Sequence, residues 1–128
     1  FPEQYAQAIA LRNKTDCELL EAERQVLGVD HVAAGIALAG HWNFSDTMRL
    51  AIANHHDPEA PGAGFLATIV HVANAIVHAL DIARDEDDLV PAVSSVAWTA
   101  LGLNEESYLH AFRETELQFE EISSILVG

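Results

Sequence analysis

Residues 65 to 83, FLATIVHVANAIVHALDIA, constrain the fold more than any other stretch. Only His71, Asn74, His78 and Asp81 are strongly polar there, so a helix built from this segment is apolar on most of its faces. Such a helix has to be packed on several sides, which makes it the centre of the structure and the other segments its cover. Its polar positions argue against a bilayer span. Elsewhere apolar residues recur at three- and four-residue spacing, with no repeat, no low-complexity tract and no alternating β pattern. The expected fold is all-α, a compact multi-helix bundle.

A chain of 128 residues with 50% hydrophobic content has enough apolar surface for one core and is too short for two, so residues 1–128 are read as a single domain. Six Lys and Arg against twenty Asp and Glu give a net charge of −14. That charge repels phosphate backbones and anionic lipid surfaces, which excludes nucleic-acid and membrane-surface roles that depend on broad electrostatics. Cys17 has no second cysteine to pair with, and neither a leader nor a long apolar run is visible. A reducing cytoplasm is the expected location. The chain starts at Phe1 without Met, and FPEQYAQAIAL already has helical spacing, so a processed or truncated piece is expected.

Caps divide the chain. Pro2 suits a first helical turn, and Thr15 with Glu18 has the capping-box spacing that would open a helix through CELLEAERQVL. Gly28 would close that helix in the left-handed conformation. Asp30 and Ser45 are expected to cap HVAAGIALAGHW and DTMRLAIANHH. After the loop DPEAPGAG and the central helix, the acidic run RDEDD (84–88) reads as an exposed turn and Pro91 as the start of AVSSVAWTALG. Asn104 should cap a long last helix whose apolar face runs through Tyr108, Phe112, Phe119, Ile122 and Leu126. Trp42 and Phe44 read as fillers between helices ahead of a docking patch.

Imidazole is the common side chain for transition-metal ligation, which makes His31, His55, His56, His71 and His78 the residues to weigh. Neighbouring residues on a helix differ by about 100°, but at a helix end His55 and His56 could both turn toward one cavity. No HExxH, CxxC, phosphate loop or GxSxG elbow is present. His71 and His78, on a mostly apolar helix, read as hydrogen-bonded core or boundary residues. For the 55–56 pair, spacing leaves metal binding and a structural role equally open.

The order of segments says more. ERQVLGVDHVAAGIALAGHW, then LAIANHHDP, then the central IVHVANAIVHAL, closely resembles the HDOD family, the output-domain relatives of HD-type phosphohydrolases in bacterial signalling proteins. The resemblance extends over nearly the whole chain, as the C-terminal part of such a domain. It implies an all-helical fold of the HD superfamily and a regulatory, non-catalytic role. In the related HD-GYP hydrolases, which cleave cyclic dinucleotides at a multi-metal centre, the later metal-binding histidines match His31, in its His-x-x-x-Gly setting, and the pair His55 and His56. The metal-binding Asp of the following helix matches Asn74, a neutral amide and a poor ligand for a hard cation. The Gly-Tyr-Pro segment is missing after the pair, and the signature His-Asp dipeptide would precede Phe1. His56-Asp57 occupies the paired-histidine position instead.

His31, His55 and His56 are therefore expected to be vestigial metal candidates, with no catalytic residue and no cofactor, although weak divalent-metal binding stays open. The expected function is a signal-transduction output domain working through a protein partner or a neighbouring signalling domain, with self-association open. Two alternatives stand beside it, a cyclic-dinucleotide phosphohydrolase and a small-ligand sensor. If the pocket derives from a metal site, Asn74→Asp in the intact parent protein should raise divalent-metal affinity. Metal content after gel filtration checks this, and an unchanged content would remove Asn74 from the site.

Overall fold

A computed structural model describes residues 2–82 and 90–127, which form helices with no strand among the described residues. In chain order these are α1 (Pro2–Thr15), α2 (Leu19–Leu27), α3 (His31–His41), α4 (Asp46–Asn54), α5 (Phe65–Ala79), α6 (Ser95–Ala100) and α7 (Glu105–Val127). Neighbours in sequence are neighbours in space. α1 packs on α2, α3 on α4, α4 on α5, and α5 on α6. α7 joins through Tyr108, Ala111 and Phe112, which pack against Val72, Ile76 and Ala97.

Most expected caps form. Gly28 ends α2 at φ 75°, and Asp30 accepts a bond from the Ala33 amide at 2.7 Å. Ser45 accepts from Met48, and Asn104 accepts from the Ser107 amide at 2.8 Å. The Thr15 box does not form. Thr15 is the last residue of α1, its hydroxyl donates to the Leu11 carbonyl at 2.8 Å, and Glu18 makes no side-chain cap for α2. The cause is Asp16, which turns left-handed at φ 55° and separates the two helices at that point. Nor does Pro91 open a helix. α6 starts at Ser95 because the Ser94 hydroxyl accepts from both the Val96 and Ala97 amides.

Three helices end alike. After α3, α5 and α6, residues Asn43, Asp81 and Gly102 take φ of 54°, 51° and 61°. The apolar residue that follows each, Phe44, Ile82 or Leu103, donates its amide to a carbonyl five residues back, the Schellman arrangement. Asp81 is thus the stop of the central helix and not one of its polar faces. The RDEDD run lies outside the described residues.

α5 holds Ala67, Thr68, His71, Val72, Ala75 and Ile76 buried, more than any other described helix. It is not covered all round as expected: Phe65 is 62% exposed, and Ile69 and Ala73, each one turn further on, are exposed with it. No described helix crosses that stripe. The buried apolar set is otherwise mainly alanine, at positions 8, 22, 39, 51, 63, 67, 75 and 97. Small side chains let helix axes approach closely and leave many larger apolar residues outside. Trp42 is one of them, at 60% exposed against the expectation of a core filler, and it leans on half-buried Phe44 with ring centroids 6.0 Å apart.

Ile76→Ala should destabilise the chain by about 2–4 kcal/mol, because it empties the cluster that seats α7. Ile69→Ala, on the open stripe, should cost no more than about 0.5 kcal/mol. Urea unfolding followed by circular dichroism checks the pair.

Candidate functional site

The site is built on Glu23. Its stripe of α2 faces inward and its side chain is 1% exposed, the bulkiest of the fully buried ones. One oxygen, Oε2, accepts both the His31 amide at 2.9 Å and His31 Nδ1 at 2.7 Å. The amide belongs to the first residue of α3, where helical N–H groups lack intrahelical partners and a negative charge is favourable. Next to it, the Ala33 amide foremost, followed by the Arg24 guanidinium at 2.6 Å, holds the Asp30 carboxyl below its usual range.

His31 Nε2 then lies 2.8 Å from His56 Nε2. His55 points its Nδ1 at the Ile52 carbonyl, 2.8 Å away, and its ring centroid stands 4.2 Å from that of His56 and 5.6 Å from that of His31. One nitrogen from each of the three falls within 4.8 Å of the others. The adjacent pair reaches one point because α4 has ended at Asn54, so the usual angular separation no longer applies. Gly35 brings the two helices together. A Cβ there would stand 2.8 Å from Ile52 Cγ2, so α3 approaches α4 closely just one turn from His31 and one turn before His55 and His56.

His71 has the structural role expected of it. Buried on α5, it donates from Nδ1 to the His55 carbonyl at 2.7 Å and accepts the Ser94 amide on Nε2 at 3.0 Å. It thereby ties the end of α4 to the start of α6. His78 borders, with His56, a cavity of about 200 Å³ that also touches Arg12, Cys17 and Glu18. His71 and His78 both act electrostatically on His56, and Asn74 stands between them at helical spacing on the same face of α5. The residue matched to the missing carboxylate is thus half-buried on the face of α5 that looks toward the cluster.

Burial foremost, with the other imidazoles adding to it, lowers the proton affinity of His55 and takes His56 down to about 4. Both therefore offer neutral rings near pH 7. Sequence reasoning missed Glu23. The available signal was a carboxylate on the inward stripe of α2, with Ala22, Val26 and Leu27 beside it.

The described helices form an all-α bundle, consistent with the HD-like fold expected of the sequence. Residues 1–58 match the family described as HDOD domain. The match takes in Glu23, His31, His55 and His56 and stops before Asn74. No curated protein and no solved structure matches the chain.

The donor set differs from the multi-metal hydrolytic centre that the resemblance to HD-type hydrolases brings to mind. Among the described residues the metal-ligating group is three imidazoles without a carboxylate, Glu23 is engaged by His31, and position 74 is an amide. Hard cations that activate water in such centres need oxygen ligands to balance their charge.

The histidine shifts predict a pH dependence. Both are depressed on folding from an ordinary value of 6.5, so the unfolded chain takes up protons first as pH falls. Stability present above about pH 6.5 should be lost progressively toward pH 4. Thermal melts across that range should show a steeper fall in Tm for the parent chain than for His56→Gln, and parallel curves would contradict it.

Proposed function

We propose that this chain is a regulatory output domain that works through contact with a protein partner or a neighbouring signalling domain and does not turn over a substrate. The observation that carries the reading is the apolar stripe of α7. Tyr108, Phe112, Phe119, Ile122 and Leu126 follow one another at steps of 4, 7, 3 and 4 residues, which keep them on one face of the helix. The first two are packed on α5 and α6. The same stripe then runs on uncovered, with Ile122 at 55% and Leu126 at 79% exposed, and Leu117 and Ile125 beside them. A stripe of this length left to water has the composition of an interface.

Its borders favour one partner chemistry. Glu114, Glu116, Glu120 and Glu121 flank the uncovered half, and no Lys or Arg follows Arg113. An apolar helix with a basic rim complements this, and a second copy of the acidic chain complements it less well. Support for the non-hydrolytic side of the reading comes from Asn74 and from the carboxylate-free ligand group. The match of residues 1–58 to the HDOD domain family supports an output-domain reading.

Ile122→Glu in the intact protein should leave the unfolding midpoint within a degree or two of the parent and abolish the signalling output. Retained output would count against α7 as the contact. Turnover of cyclic dinucleotides in the presence of iron or manganese would overturn the reading altogether.

A further inference from the structure

We propose that the cavity walled by α1, α2 and the start of α3 binds a small organic amine, an ammonium group on an apolar body, with Oε1 of Glu23 accepting its N–H. This goes beyond the contact-based function and does not rest on it. The cavity shares His31 with the histidine cluster but neither His55 nor His56, and its chemistry is neither that of a metal nor that of a phosphate.

Glu23 leaves one acceptor unused. Both bonds it receives, from the amide and the Nδ1 of His31, end on Oε2. Oε1 takes none among the described residues, and although the side chain is only 1% exposed this atom is not sealed off. Glu23 stands in the wall of a cavity of about 710 Å³, so Oε1 opens there. An ionised carboxylate can only accept, which obliges the occupant to donate. Asp30, in the same wall, already spends its two oxygens on the Ala33 amide at 2.7 Å and Arg24 Nε at 2.6 Å, and His31 spends Nδ1 on Glu23. Oε1 is the carboxylate oxygen left to a ligand.

A charged donor fits this position better than a neutral one. Among the described residues no Lys or Arg lines the cavity, and Arg24 beside it is held by Asp30. A net charge of −14 draws cations toward the chain and repels anions. An N–H of an ammonium group on a buried carboxylate belongs to the strong, charge-assisted class of hydrogen bond. The rest of the wall sets the ligand's body. Val26 and Leu27 follow Glu23 by three and four residues and share its face of α2, while Pro2, Tyr5, Val29 and Ala34 close the other sides. Tyr5 and Val29 are 42% and 46% exposed, so apolar surface remains for a ligand to cover. The volume is that of a small-molecule pocket, about 300–1,000 Å³, and an apolar wall with few polar groups is the usual lining. An alkyl or aryl chain suits it; a heavily hydroxylated or phosphorylated body does not.

Titration of the chain with phenethylamine, followed by amide NMR and calorimetry, checks the proposal, with 2-phenylethanol as the uncharged isostere and 3-phenylpropionate as the anion. One equivalent of amine should bind, shift the amides of Tyr5, Val26 and Ala34 and raise the melting temperature. The amine should bind at least about tenfold more tightly than the alcohol, and the anion should not bind. Ala34→Phe, at an exposed position of α3, fills the cavity without replacing Glu23 and should abolish amine binding at an unchanged Tm. Ile69→Ala on α5 should leave binding as it is. Glu23→Gln should bring amine and alcohol to within about twofold of each other, whereas a purely structural role for Glu23 would weaken both together. If Glu23→Gln fails to fold, Ala34→Phe still decides whether the cavity is the site. No amine binding, equal binding of the alcohol by the parent chain, amide shifts confined to other helices, or binding that survives Ala34→Phe would overturn the site. A preference for the amine that survives Glu23→Gln would overturn the role of Oε1.

Discussion

A carboxylate shut away from water costs several kcal/mol unless it is hydrogen-bonded, and Oε2 of Glu23 accepts twice from one residue, His31. The same pair of bonds starts α3, joins it to α2 and aims an imidazole at the end of α4. Remove the carboxylate and three features lose their common support: the amide at the start of α3, the tautomer of His31 and the angle of its ring. The neighbouring Asp30, held by Ala33 and Arg24, repeats the arrangement on a smaller scale. Two acids eight residues apart or closer to His31 thus do for this corner what apolar packing does elsewhere in the bundle.

Much of the local structure was legible. Gly28, Asp30, Ser45 and Asn104 cap as their chemistry indicates, since each supplies a group that a helix end needs. Thr15 misled because a hydroxyl can serve the preceding helix as readily as the following one, and in this chain it donates back to Leu11. Pro91 misled because a proline only permits a helix start, whereas Ser94 supplies acceptors for two amides. Asp81 reads in the sequence as part of the central helix although it ends it; an acid in the left-handed conformation leaves little trace in a pattern of apolar spacing. Phe65, Ile69 and Trp42 show the other boundary of periodicity, which identifies an apolar face but not whether anything covers it.

At the site, His31 and the His55–His56 pair meet although they lie 24 and 25 positions apart. Gly35 now has a physical reason in its closeness to Ile52, where a larger residue would push α3 and α4 apart. Glu23 stayed hidden because an acid in a helix is ordinarily solvated, and only the fold shows it sealed. The family match covers the segment in which these residues lie. The resemblance extended further along the chain than that match does, so α5 to α7 rest on their own geometry.

α7 has a mechanical consequence. Its 23 residues make a rod of about 34 Å, clamped at one end by Tyr108 and Phe112. Sideways load on the free end is multiplied at the clamp, as on any lever held near its base. The clamp bears on Val72 and Ile76 of α5, and next to Val72 α5 carries His71, bonded to the backbone of His55. Torque applied at the tip of the rod is delivered to the helix that steadies the histidine cluster.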